Sequence, residues 1–209
     1  MTSFNEHFDR HGAWRSEMGL RVKVLGDWLH EQDLLDDGAK ERLHSLSDRL
    51  QTDKVMVAFV AEFSRGKSEL INAVFFAAYG RRIMPASAGR TTMCPTELGY
   101  DPALPPCLRL LPIETRLESQ ALLEWRLVPE QWTRVDLDVN DPDQLAGAME
   151  KVSEVRYVSQ DEARALGFWH DDRPEDNPPV NALGLVEVPR WRHALINMAH
   201  PLLKQGLVV

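Results

Sequence analysis

Few sequence features restrict a fold as tightly as Gly-Lys-Ser set between an apolar run and a helical repeat, and this chain has one at Gly66-Lys67-Ser68. Upstream, Val55, Met56, Val57, Ala58, Phe59 and Val60 form a continuous apolar run. It is too short for a typical buried helix and predicts a strand covered on both faces in a parallel sheet. Downstream, Leu70, Ile71, Ala73, Val74 and Ala77 recur at helical spacing. A strand, a tight loop over Ala61-Glu62-Phe63-Ser64-Arg65-Gly66-Lys67-Ser68 and a helix make the context in which a phosphate-binding loop is credible. In such a loop the backbone N–H groups and the helix N-terminus cradle phosphates, Lys67 reaches the β and γ oxygens, and the Ser68 hydroxyl ligates Mg²⁺. The first glycine of the usual pattern is here Ala61, which fits only where the backbone needs no positive φ. Gly66, beside the phosphates, is intact.

The chain has 209 residues, of which 44% are apolar and 27% charged, enough to bury a core. Acidic residues outnumber basic ones, 32 to 24, and no long basic tract appears, so nucleic acid is not an expected partner. Cys94 and Cys107, the two cysteines, do not make a disulfide framework, and a cytoplasmic setting is expected. Met1 to Asp9 lacks the basic and apolar regions of a signal peptide, and no apolar run approaches the roughly 20 residues that span a bilayer.

Residues 4 to 52 read as two amphipathic helices. Leu20, Val24 and Trp28, with Leu25 and Leu29, form one stripe, Asp36-Asp37-Gly38 interrupts it, and Leu43, Leu46 and Leu50 form a second. These stripes are expected to be buried, whether the hairpin pads a nucleotide domain or begins a separate bundle. His7 and His11 stand four apart without supporting ligands and read as a solvated face.

Residues 80 to 96 are a basic loop rich in Gly and Pro, placed where a nucleotide switch segment belongs. Glu97–Tyr100 and Leu108–Ile113 read as a strand pair. Asp141 and Ser159 each cap a helix, the second stopping near Gly167, and residues 168 to 179 form an acidic, Pro-rich loop. His170, Asp171 and Asp172 are expected to be exposed there, not a ligand set, and Trp125, Trp132, Trp169 and Trp191 to anchor the segment rather than stack on bases. Leu185–Val188 predicts a strand, Trp191, Leu195 and Met198 a helical stripe broken near Pro201, and Gly206–Val209 a strand beginning.

The segment from Val57 to Pro95 resembles the start of a GTPase domain of the dynamin superfamily, most of all its bacterial members. The likeness lies in Glu62-Phe63-Ser64, Ile71-Asn72-Ala73 and Thr91-Thr92-Met93-Cys94-Pro95-Thr96-Glu97, linked motifs that agree in order and spacing. The resemblance implies an α/β fold with a P-loop NTPase-type sheet and flanking helices. It implies a helical segment at 1–52 and a GTPase domain at 53–209 with an insertion at about 114–182. It implies GTP as ligand, Mg²⁺ as cofactor, and nucleotide contacts from Glu62, Phe63, Ser64, Arg65, Gly66, Lys67, Ser68 and Glu69. Lys67 and Thr92 would be catalytic, with Ser68 and Thr92 on the metal. Animal and plant dynamins carry Gln where Phe63 stands, a residue that helps position the attacking water, so the means of aligning water stays open. Whole members dimerise through their GTPase heads and act on membranes, so a homodimer and a peripheral place on the inner membrane face are implied for a full-length protein.

No Asp-x-x-Gly segment and no Asn-Lys-x-Asp or Thr-Lys-x-Asp stretch occurs in these residues in the places the family uses them. The chain is therefore expected to be truncated at its C-terminus, with GTP-hydrolysing activity belonging to the full-length protein. An ATP-using P-loop protein and a nucleotide-binding scaffold with little turnover are the alternatives.

Overall fold

The computed structural model describes residues 4–52, 54–60, 66–85 and 94–209. In chain order the elements are helices α1 (Phe4–Glu31) and α2 (Asp37–Thr52), strand β1 (Val55–Met56), helix α3 (Lys67–Phe75), and strands β2 (Thr96–Gly99) and β3 (Cys107–Pro112). Then come α4 (Leu122–Trp125), β4 (Thr133–Asp136), α5 (Pro142–Glu150), β5 (Val155–Val158), α6 (Gln160–Ala165), β6 (Val186–Pro189), β7 (Trp191–Asn197), α7 (Pro201–Lys204) and β8 (Leu207–Val208). The fold is mixed α/β, and the chain divides into two compact units, one of residues 1–57 with 200–208 and one of residues 58–199 with Val209.

In the first unit α1 and α2 form a hairpin; Leu43 and Leu50 of α2 are partly covered, as expected, whereas the covered face of α1 is not the expected one. Leu20, Val24 and Trp28 are 65%, 65% and 51% exposed, and Leu46 is also exposed. Gly12, Arg15, Met18, Gly19, Val22, Gly26 and Leu29 are instead the partly covered positions of α1 among the side chains described, recurring at helical spacing. Gly26 faces α2, where an added Cβ would stand 3.7 Å from Leu43 Cδ1, an ordinary van der Waals contact. Strand β1 pairs in parallel with β8, Val55 opposite Leu207 and Met56 opposite Val208, and Val57 N–H extends the ladder to the Val208 carbonyl at 2.8 Å. The predicted six-residue buried strand is thus short, and Val55, Met56 and Val57 are exposed. Among the described residues β8 is its one partner strand.

The second unit holds a four-stranded sheet in the order β2-β7-β3-β4. Strand β7 runs parallel to β2 and antiparallel to β3, and β4 is antiparallel to β3. Two expectations are corrected here. The predicted strands β2 and β3 exist but do not pair, because β7 lies between them. The predicted helical stripe at Trp191, Leu195 and Met198 is mostly this central strand. Ala194, Leu195, Ile196 and Asn197 are all buried, a consecutive run that a one-faced helix would not bury. Covering each Leu or Ile side chain there stabilises the sheet by about 1.5–3 kcal/mol. Pro201 begins α7 rather than ending a helix, a place where its missing N–H costs nothing.

One sheet face carries Leu111 and Leu195, packed with Trp125 and Trp132, and Trp132 Nε1 donates to the Trp125 carbonyl at 2.8 Å. Ile113, Val158, Ala163, Leu166, Val186 and Val188 make a second cluster, with Phe168 and Trp169 against it, beside the antiparallel β5–β6 pair. Trp191 Nε1 donates to the Lys151 carbonyl at 2.8 Å. The four tryptophans are therefore packed into the protein, as expected.

Candidate functional site

Helix α3 begins at Gly66, which adopts φ 81° and ψ 15°. That left-handed conformation is open to glycine and costs an L-residue about 1–2 kcal/mol. The Leu70 N–H closes the first helical turn on the Gly66 carbonyl at 2.9 Å. Lys67 and Ser68 lie half-buried in that turn, and a glycine cap offers the first-turn N–H groups no side chain. Elsewhere the sequence closes its helix starts itself: Asp141 accepts from Asp143 N–H and Gln144 N–H at α5, and Ser159 accepts from Glu162 N–H at α6. Glu69 directs its carboxylate to Arg82, whose Nε stands 2.9 Å from Oε1. Uncapped N–H groups and a lysine suit an anion, and the Ser68 hydroxyl is a hard oxygen of the kind Mg²⁺ takes together with phosphate oxygens.

Of the expected site residues, Gly66, Lys67, Ser68 and Glu69 are thus brought together on the first turn of α3. Glu62, Phe63, Ser64, Arg65 and Thr92 lie outside the described residues, as do Ala61 and Thr91. The side chains of His7 and His11 lie outside them as well.

A residue quoted above only as part of a motif has a definite structural task. Asn72 is buried; its Oδ1 accepts from Ile83 N–H at 3.0 Å and Met84 N–H at 2.8 Å, and its Nδ2 donates to the Met84 carbonyl at 3.0 Å. The signal was present as a lone amide among Leu70, Ile71, Ala73 and Val74. Further along, Cys94 is buried, which pushes its thiol up to about 12 and makes it a packing residue rather than a nucleophile. Thr96 Oγ1 donates to the Cys94 carbonyl at 3.1 Å, and the Pro95 carbonyl accepts from Ala194 N–H at 2.9 Å.

Other candidate groups are already committed. Asp171 accepts from Arg164 Nε and Nη2 at 2.8 and 3.0 Å and from Trp169 Nε1 at 3.2 Å, and these bonds to Arg164 hold its carboxyl below the usual range. Asp171 and Asp172 are exposed, and among the described residues no group of three or more His, Cys, Asp or Glu is placed to hold a metal ion. Beside Trp132, the Arg109 guanidinium stands 5.9 Å from the ring centroid and the His193 ring packs edge-on at 6.4 Å. Burial lowers the His193 pKa, and its Nε2 has no hydrogen-bond partner among the described residues. A groove of about 450 Å³ between α1 and α2 has Arg15, Leu20, Lys23, Lys40, Leu43 and Leu50 among its lining residues. No helix among the described residues is long and apolar enough to cross a membrane. Compared with models of known protein families the chain matches none, and a comparison with curated proteins likewise finds no match.

Proposed function

We propose that this chain carries the phosphate-binding part of a P-loop GTPase site of the dynamin-like kind. The observation that carries the proposal is the left-handed Gly66 that opens α3 with Lys67 and Ser68 in its first turn. Support comes from the apolar strand β1, which precedes this segment in sequence and pairs in parallel with β8, as P-loop sheets require. The motifs at Ile71-Asn72-Ala73 and Thr91 to Glu97 extend the resemblance beyond the triplet.

In this reading Lys67 and the first-turn amides take the β and γ oxygens, with Glu62, Phe63, Ser64 and Arg65 lining the loop. Ser68 and Thr92 hold Mg²⁺, which when bound neutralises charge on the phosphates. Water attacks the γ-phosphorus, the bond to the β–γ bridging oxygen breaks, and GDP and inorganic phosphate leave. A GTPase-domain homodimer and peripheral membrane association belong to the same proposal.

Calorimetric titration of the chain with pyrophosphate, GTP and ATP in Mg²⁺ tests it. Weak binding of all three with little preference for either base is expected, because no Asn-Lys-x-Asp or Thr-Lys-x-Asp segment occurs in the sequence. Absence of binding by all three would overturn the proposal. Tight binding of GTP alone would mean that residues in the 114–182 segment read the base.

A further inference from the structure

Helix α3 has nine residues, too few to hold a helix in water without tertiary support. Its buried residues are Asn72 and Phe75, while Leu70 and Val74 are 47% and 40% exposed. The helix is therefore positioned mainly by what those two side chains touch. The bonds of Asn72 are directional and leave little room for rotation or sliding, because they engage the N–H of Ile83 and both the N–H and the carbonyl of Met84 at 2.8–3.0 Å.

Ser68 lies four residues before Asn72, so both point from the same side of α3. The clamp thus faces the side of the helix on which Ser68 stands. Arg82, the residue just before the clamped pair, meets Glu69 in the first turn of α3 at 2.9 Å, a second contact between the same two segments. That exposed ion pair is worth little by itself. Its geometry agrees with a helix held in one rotation by Asn72.

We infer that Asn72 is a positioning residue for the metal side of the phosphate site: by locking α3 against Ile83–Met84 it holds the Ser68 hydroxyl where phosphate-bound Mg²⁺ meets it. The inference rests on the reading of Gly66, Lys67 and Ser68 as a phosphate seat. Its specific content is that losing Asn72 removes the contribution of Mg²⁺ to binding, beyond any loss of stability.

Asn197 supplies a matched control in the same unit. Its buried amide clamps a different turn, accepting from Asp101 N–H at 2.7 Å and donating to the Asp101, Leu104 and Pro105 carbonyls at 2.9–3.2 Å. The experiment measures fluorescent-GTP affinity of the whole chain with Mg²⁺ and with EDTA, together with the thermal midpoint. The variants are Asn72→Ala, Asn72→Asp, Asn197→Ala, Ser68→Ala and Lys67→Ala. Both asparagine-to-alanine variants should melt earlier, since each loses several buried hydrogen bonds. Only Asn72→Ala should also lose the gain in affinity that Mg²⁺ gives, by about tenfold, as Ser68→Ala does. Asn72→Asp keeps the two accepted bonds and loses the donated one, so its Mg²⁺ gain should fall between wild type and Asn72→Ala. Should Asn72→Ala fail to fold, the aspartate variant decides: a reduced gain supports the inference and a wild-type gain overturns it. A full Mg²⁺ gain in folded Asn72→Ala, or an equal loss in Asn197→Ala, would leave Asn72 a purely structural residue. Lys67→Ala separates the two levels. If it abolishes binding while Asn72→Ala keeps the full gain, only this inference fails; if it binds as wild type does, the phosphate seat fails and takes the inference with it.

Discussion

Helices α3 and α5 are both nine residues long, and they begin in opposite ways. At α5 the chain closes its own helix: Asp141 is extended, its carboxylate takes the N–H groups of Asp143 and Gln144 at 2.9 and 3.1 Å, and Pro142 fills the first position. At α3 the cap is Gly66 in the left-handed region, with Lys67 and Ser68 in the first turn. One helix start is capped by a side chain from within the sequence, while the other has no side-chain cap and carries Lys67 and Ser68 in its first turn. A glycine cap gives up only about a few tenths of a kcal/mol relative to Ser or Asp, and it leaves room at the helix N-terminus for an outside anion.

The comparison breaks most sharply if α3 is made to resemble α5. Gly66→Asp should keep the helix, since Asp is among the residues that tolerate left-handed backbone, yet it should abolish pyrophosphate binding. A carboxylate and a phosphate oxygen a few ångströms apart in a partly desolvated site repel by about 4 kcal/mol. Gly66→Asn, neutral and of similar shape, should bind better than Gly66→Asp; equal affinities would show that backbone strain, not charge, is responsible.

Asp141→Ala tests the other side. Urea unfolding should show a loss of about 1 kcal/mol with pyrophosphate affinity unchanged. A binding defect in this variant would mean that the two helix starts are not functionally distinct. Ser159→Ala, which removes a single 3.2 Å bond from Glu162 N–H at α6, should have the smallest effect, about 0.5 kcal/mol and likewise no change in binding.

How much of this was legible in the sequence depends on the range of the interaction concerned. Asp141 and Ser159 were readable as caps because a cap and the N–H groups that donate to it lie within three residues. Gly66 was readable for the same reason. The pairing of β2 and β3 was misjudged because β7, which separates them, enters from far along the chain. Leu195 with its apolar neighbours Ala194 and Ile196 is the mark of a strand buried on both faces, but Trp191, Leu195 and Met198 also fit helical spacing, and periodicity alone does not separate the two. In α1 the hydrophobic stripe at Leu20, Val24 and Trp28 predicted the wrong inward face, because the covered side carries Gly12, Gly19 and Gly26, residues that hydrophobic periodicity does not mark. Asn72 was visible as a residue type, whereas its partners Ile83 and Met84 lie beyond a turn that sequence periodicity does not describe.

Lys67 carries the central claim, since in the proposed reading it would supply the point charge set against phosphate. The decisive measurement is the affinity of the chain for fluorescent GTP in Mg²⁺, wild type beside Lys67→Ala, with folding of both checked by thermal unfolding. The account predicts measurable binding by the wild type and none by a normally folded Lys67→Ala, the loss of a charge-assisted contact worth about 1.5–3 kcal/mol or more in a partly dry site. Unchanged affinity in a folded Lys67→Ala would contradict it.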